Sequence, residues 1–464
     1  MKNKQIHNTM NRLKQWILLP LLLLSAAGMQ AQQPVELTLK SALNYALQAN
    51  QEARKAKLDL ENSEYQIDEV RARALPQING TASVTHNPLL QKSALPNIFG
   101  PNPNPNESVL IALGQKWNAN AGVSLSQAIF DKSVLTGLDA AKATREFYRL
   151  SSQLTEEQVI EQVATNYYQV LVQRQQLAVL DSTIKNSREV QSILRGQYEN
   201  GLAKKIDLDR MAVNISNLNS QRQQLLNSVA LLENQLKFYM GMPIQTPVII
   251  PDAEINAIQP KAVALTESID PTIRTEYRLL EGQENLLRYQ KEAYKSEYYP
   301  SLSLSSNYSY QGMGNKMPVF KGQNQGVNWF GTASVSLNLR IPIFNGFATR
   351  SRVKQAEISI KKLNEDMANT SLALNLAFEN AKTQINNSII TLNAQKENVR
   401  LAQEVFENTQ NNYNNGLATL TDLLNAETSL TEANNNYSSA LLNYRVAEIQ
   451  LIKSQGQLKG LVGL

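Results

Sequence analysis

The sequence predicts a mainly α-helical fold with a transmembrane β-barrel contribution: duplicated helix-strand-strand-helix-helix halves that supply very long helices and four β-strands per subunit. Three observations predict it: long proline-free stretches with apolar residues three and four apart, four segments of about ten residues with a period of two, and a block of residues repeated at an offset of 215. A length of 464 residues alone would suggest two or three globular domains, and the repeat overrides it in favour of one elongated, duplicated body.

The chain opens with Lys2, Lys4, Arg12 and Lys14, then the apolar run from Ile17 to Leu24, then small residues from Ser25 to Gly28. Basic, apolar and small residues in that order form a secretory signal peptide over residues 1–31, with cleavage near Gly28 or Ala31. A membrane-spanning anchor is the alternative, but the run falls short of the roughly 20 residues that a bilayer helix needs, and it contains Pro20. Loss of those four basic residues, with no acidic one among residues 1–31, takes the formal charge from +5 to +1. No nucleic acid is expected as a partner, because that binding needs a basic face against phosphates.

Cysteine is absent, which excludes a disulfide framework, a thiolate metal site, a cysteine nucleophile and lipid attached through an N-terminal cysteine. The two histidines are His7, within the signal, and His86 at a strand end, so neither a His-based catalytic site nor a zinc site is expected. Met313 and Met317 could touch a soft metal but read as incidental in a loop. Gly312-x-Gly314 lacks the strand-turn-helix context of a nucleotide site. The chain is expected to be no enzyme and to carry no cofactor.

Proline is missing between Pro105 and Pro243 and after Pro342, which permits long helices at about 133–200 and 347–415. At 1.5 Å per residue each would run for roughly 100 Å. In the second, Leu374, Ala377, Ala381, Ile385, Ser388, Leu392, Gln395, Val399, Ala402, Phe406, Thr409 and Tyr413 form a coiled-coil-like seam. Its flanks are Asn, Gln, Lys and Glu, a broad wet face that could line water. Phe147, Leu150, Leu154, Ile160, Val163, Tyr167 and Leu171 form a similar seam in the first. Shorter helices are expected near 38–73, 205–240, 262–297 and 419–459.

Four segments change period from 3.6 to 2. At about 77–86, Ile78, Gly80, Ala82 and Val84 alternate with Asn79, Thr81, Ser83 and Thr85, and at about 117–127, Trp117 to Leu125 alternate with Asn118 to Ser126. At about 301–310, Leu302, Leu304, Tyr308 and Tyr310 alternate with serines and Asn307, and at about 329–339, Val335, Leu337 and Leu339 alternate with Ser334, Ser336 and Asn338. One apolar and one Ser/Thr/Asn face suits an outer-membrane strand, lipid outside and water inside. A soluble sandwich with a half-buried sheet is the alternative. No run beyond the signal is long and apolar enough for a spanning helix, so membrane residence must be by barrel. The loops at about 86–116 and 311–328 read as flexible and external.

Tyr198, Asn200, Gly201, Leu202, Ala203 and Asp207 recur 215 residues later as Tyr413, Asn415, Gly416, Leu417, Ala418 and Asp422. Four strands cannot close a membrane barrel, and lipid does not tolerate open edges, so copies must supply strands to one another. Two, three or four copies satisfy the strand count, and a lumen wide enough for solutes favours three or more.

With the strand-exit run Ile341-Pro342-Ile343-Phe344-Asn345-Gly346 and the paired Tyr-x-x-Gly-Leu turns, the chain resembles the TolC outer-membrane efflux family over its whole mature length. The resemblance implies a first repeat over 32–245, an equatorial linker over 246–261 and a second repeat over 262–464. It also implies a homotrimer with a 12-stranded barrel in outer-membrane lipid and an α-helical tunnel in the periplasm. A periplasmic adaptor protein would dock on the tip turns at Gly201, Leu202, Gly416 and Leu417, and an inner-membrane pump would connect through it. Asp422, Asn425, Asp207 and Tyr413 would stand at the periplasmic aperture, with Asp422 repeated round the threefold axis as a cation-attracting ring. Asn425 stands where the family has a second aspartate, Ala418 where it has a latch arginine and Ile206 where it has a latch threonine, leaving Lys204 or Lys205 as substitutes. Asp207 and Asp422 can also be read simply as helix-start residues stabilised by the helix dipole. The implied function is passive conduction as the exit duct of a tripartite system; a secreted or surface-attached coiled-coil scaffold without a pore is the alternative.

Overall fold

The computed structural model describes residues 35–98, 103–251 and 268–463. The signal peptide, much of the linker and residues 262–267 lie outside them. The first half forms β1 (Val35–Glu36), α1 (Leu39–Ala49), α2 (Gln51–Ala72), β2 (Gln77–His86), β3 (Lys92–Asn97), β4 (Asn104–Ala112), β5 (Trp117–Phe130), α3 (Lys132–Glu199) and α4 (Lys205–Met240). After β6 (Val248–Ile249) come α5 (Thr275–Ser296), β7 (Ser301–Gly314), β8 (Val327–Arg340), α6 (Ala348–Asn414) and α7 (Leu420–Ser454). Two compact units result, with their divisions inside α2, α3 and α6.

The first unit is helical and contains the C-terminal parts of α3 and α6 with α1, α4 and α7. Its largest core gathers Leu37, Leu43, Val163, Tyr167, Leu171, Leu236, Met240 and Ile449. The buried Tyr167 hydroxyl donates to the Leu37 carbonyl at 3.0 Å, so the aromatic is seated without an orphaned polar group. The seam of α6 is realised from Ala381 to Tyr413, every member buried or half-buried, while Ala377 is exposed and Phe378 takes its place. Phe378, Ile385 and Leu392 pack with Leu441, Tyr444 and Leu451 of α7.

The helix expected over 38–73 is instead two helices, a correction with a clear cause. Asn50 is extended at ψ 133°, its Oδ1 accepts from the Glu52 and Ala53 amides, and its Nδ2 donates to the Tyr239 carbonyl at 2.7 Å. An Asx-type cap has won over helix continuation. Gly241, left-handed at φ 70°, ends α4 against the same break: a Cβ there would lie 2.5 Å from the Ala49 carbonyl oxygen. A small parallel sheet, β1 with β6, also lies outside the sequence reading.

The second unit holds the sheet, with α5 and the adjoining stretches of α2, α3 and α6. Four antiparallel strands run in the order β2-β5-β7-β8. Their register aligns like with like: Ile78 faces Leu125, Val123 faces Tyr308, Tyr308 faces Ala333 and Leu304 faces Leu337, while Asn79 faces Ser124, Ser124 faces Asn307 and Asn307 faces Ser334. A slip of one residue would mix the two faces, so the alternation itself fixes the register. Ile78, Val335, Leu337 and Leu339 are 62–75% exposed, so among the described residues much of the apolar face is left uncovered. Among the described residues no helix is long and apolar enough to cross a membrane.

Three of the four strands outrun their expected limits. β5 continues to Phe130 through a bulge, β7 continues to Gly314, and β8 starts at Val327. Gly312 and Gly314, which read as loop, belong to the sheet, paired with Trp329 and Val327, and glycine is required at both because a Cβ would meet the Trp329 ring at 2.6 Å or run into the Gly326 carbonyl oxygen. The loop read as flexible over 86–116 contains a second antiparallel hairpin, β3 with β4. Its continuous apolar run Val109-Leu110-Ile111-Ala112 carries no alternation and follows a proline-asparagine repeat that reads as loop.

Gly241→Ala should destabilise the helical unit by more than about 1 kcal/mol, since both the left-handed backbone and the Ala49 contact oppose a side chain. Thermal melting followed at 222 nm measures it; an unchanged midpoint would mean the α1–α2 break does not depend on Gly241.

Candidate functional site

The two repeated turns come together at one end of the helical unit. Each closes its long helix with a Schellman motif: Gly201 and Gly416 have φ 75° and 73°, the Leu202 amide donates to the Gln197 carbonyl and the Leu417 amide to the Asn412 carbonyl, both at 2.8 Å. Asn200 and Asn415 each turn back to the carbonyl four residues earlier at 2.8 Å. Beneath the turns, Val190 and Leu194 of α3, Met211 and Ile215 of α4, Phe406 of α6 and Leu420 and Leu423 of α7 form one apolar cluster. It is this cluster that holds the turns side by side. Leu202 and Leu417 do not join it: they are 81% and 79% exposed, although a Schellman leucine ordinarily folds back on its own helix.

An open cleft of about 830 Å³ separates the turns, lined among others by Lys204, Asp207, Tyr413, Gly416 and Thr419. Asp207 and Tyr413 meet there. Partial burial, and then the Asp207 charge, raise the Tyr413 hydroxyl above its ordinary pKa, so it remains a neutral phenol.

The two aspartates occupy equivalent positions but have different surroundings. Asp422 completes a capping box on α7: its Oδ2 accepts from the Thr419 amide at 2.9 Å and the Thr419 hydroxyl at 2.6 Å, and its amide donates to Thr419 Oγ1 at 3.2 Å. Those bonds from the Thr419 side chain and backbone lower its pKa. At the start of α4 the N-cap is Lys204, whose side chain cannot accept, and no side-chain cap forms. Asn425 is exposed one turn beyond Asp422, in a second cleft shared with Ile206, Arg210 and Leu424. Among the described residues neither Lys204 nor Lys205 makes an ion pair. The cation that reaches across is Arg210, which donates from α4 to Thr421 Oγ1 of α7 at 3.4 Å.

Just behind the cluster lies a polar layer that the sequence reading missed. Ser187 of α3 donates its shared hydroxyl to both oxygens of the buried Glu427 on α7, each at 2.9 Å, and Thr183 lies 3.2 Å from Thr431 one turn away. Burial raises the Glu427 pKa, and hydrogen bonds from Ser187 and Asn214 only partly oppose it. The signal was available: Leu420, Leu423, Glu427 and Leu430 follow seam spacing, so a glutamate occupies a core position.

A four-stranded, one-sided apolar sheet joined to coiled-coil helices whose turns converge defines a subunit of a membrane channel. The family model described as outer membrane efflux protein matches residues 42–242 and 280–457, and the chain belongs to that family. Outer membrane protein TolC of Escherichia coli (strain K12) is 25% identical over 468 residues, covering 95% of this chain and 86% of that protein. The structure of outer membrane protein VceC from Vibrio cholerae matches with a TM-score of 0.66 at 15% identity, over 90% of this chain and 96% of that one. The CmeC outer membrane channel of Campylobacter jejuni matches with a TM-score of 0.67 at 17% identity, over 90% and 85%. The chain is thus an outer-membrane efflux channel protein of a Gram-negative bacterium and not an enzyme. The pore-free scaffold is set aside.

Glu427 yields a pH prediction. An acid whose folded-state pKa is raised stabilises the fold below its unfolded pKa and loses that contribution as pH rises through the folded value. Glu427→Gln should therefore raise the melting temperature at pH 7.5 and leave it nearly unchanged at pH 4.5. Equal shifts at both pH values would show that Glu427 is already charged in the fold.

Proposed function

We propose that three copies, four strands each, close a 12-stranded barrel in outer-membrane lipid over an α-helical tunnel in the periplasm. This homotrimer is the passive exit duct of a tripartite efflux or secretion system. The carrying observation is the sheet itself: β2 and β8 are edge strands, and its apolar face is exposed at Ile78, Val335, Leu337 and Leu339. In hydrocarbon such edges require partners, and closure by copies supplies them. The repeats over 32–245 and 262–464 flank an equatorial linker over 246–261. The loops after β2 and β7 face outward.

The convergent turns form the periplasmic tip. Leu202 and Leu417, held outward by Gly201 and Gly416, present the apolar contacts for a periplasmic adaptor protein, which connects the duct to an inner-membrane pump. Asp422, Asn425, Asp207 and Tyr413 border the aperture. Because Asp422 has a lowered pKa, its negative charge persists into acid, and three copies of it attract cations.

Outer-membrane extract run unboiled should show an oligomer that collapses to monomer on boiling; a monomer in the soluble fraction overturns the duct. In planar bilayers the trimer should give small, mostly closed conductance with cation block. Asp422→Asn, which keeps a cap acceptor, should weaken the block, and Asn425→Asp should strengthen it. Block by wild type should survive at pH 4, where an ordinary aspartate of pKa about 3.9 is already half protonated. Unchanged block in both variants removes these positions from the constriction.

A further inference from the structure

The loop between β7 and β8 folds back over the apolar face of the sheet instead of standing away from it. Trp329 lies flat across Gly312, stacked on Tyr310 with ring centroids 5.2 Å apart, and its indole donates to the Lys321 carbonyl at 2.7 Å. A turn from Pro318 to Lys321 is closed at 3.0 Å, and Val319 with Phe320 borders a hollow against Ala82, Val84, Ala119 and Ala121, all on the apolar face. Pro318 and Val327 are buried in this arrangement. Phe320 is the exception: it is fully exposed, and its φ of 61° is left-handed, a conformation unusual for a bulky side chain. An anchored loop thus holds a large aromatic outward at the rim of a lipid-facing surface, in a conformation that water alone would not favour.

Charge at the same rim is mostly positive. The two connecting loops carry Lys92, Lys116, Lys316 and Lys321 against Glu107 alone, and β2, β5 and β7 carry no acidic or basic residue except His86. Lys316 and Lys321 flank the apolar run Met317-Pro318-Val319-Phe320 and make no side-chain ion pair among the described residues.

We propose that residues 316–321 form an interfacial lipid clamp: Phe320 enters the acyl boundary of the outer leaflet while Lys316 and Lys321 bind phosphate groups of its lipids. This rests on the barrel orientation proposed above. The surface continues the apolar face directly, and cationic residues beside an interfacial aromatic suit the headgroup of a phosphorylated glycolipid.

The absence of native cysteine allows single-thiol labelling. Met317→Cys, Val335→Cys at mid-sheet and Asn106→Cys on the β3–β4 hairpin would each carry an environment-sensitive fluorophore. The full-length trimer is reconstituted in phosphatidylcholine vesicles with and without lipid A. The probe at 317 should be quenched by brominated lipid and shielded from iodide, with quenching rising at least twofold when lipid A is present. Lys316→Gln with Lys321→Gln should abolish that rise, and Phe320→Asp should at least halve the quenching itself, both without change at 335. If 317 is as open to iodide as 106 while 335 is lipid-quenched, the clamp is wrong and the barrel stands. Equal quenching with and without lipid A overturns recognition of a phosphorylated glycolipid. Iodide access at 335 overturns the barrel and the clamp together.

Discussion

Unpaired backbone groups are costly in hydrocarbon, and that constraint organises this chain. Among the described residues β2 and β8 each leave one side of their hydrogen-bonding groups without a partner, and the face between them carries apolar residues from Ile78 to Leu339. Such a sheet is unsuited to water on its apolar face and to lipid at its edges. Closure with copies in a membrane resolves both problems together. Membership of the outer membrane efflux family agrees with that solution.

Much of this was legible because the governing signals are local. Strand alternation and helix seam spacing depend on residues two to four apart, and burial from Ala381 to Tyr413 follows the seam. What escaped depends on distant partners. Asn50 breaks a helix because Tyr239 offers it a carbonyl, and Gly312 stays in a strand because Trp329 lies across it. The site divides in the same way. The repeated turns were visible as a 215-residue echo, whereas the pairing of Ser187 with Glu427 joins residues 240 apart.

Duplication also explains why equivalent residues differ in use. Thr419 and Lys204 stand at matching positions, and that one difference decides how each aspartate spends its acceptors. Thr419 engages Asp422 in a cap, while Asp207, without one, acts through space on Tyr413. The repeat preserved the turn geometry, set by glycine φ and the backbone bonds of the Schellman motif, while the side chains after it diverged.

The polar layer behind the tip addresses a weakness of long seams. Apolar residues at spacings of three and four pack almost equally well after a slip of seven, so α3 and α7 need something besides hydrophobic contact to choose one alignment. Thr183 and Thr431 also donate to the carbonyls four residues earlier in their own helices, so it is Ser187 with Glu427 that distinguishes the observed register. A slip would take the Ser187 donor away from the buried Glu427 and leave it only Asn214, at a cost of about 1–3 kcal/mol. The same burial raises the Glu427 pKa and makes stability fall toward neutral pH. Register beside the paired turns is therefore specified at some expense in stability, and the helix turns that carry Asp207 and Asp422 are aligned as a result.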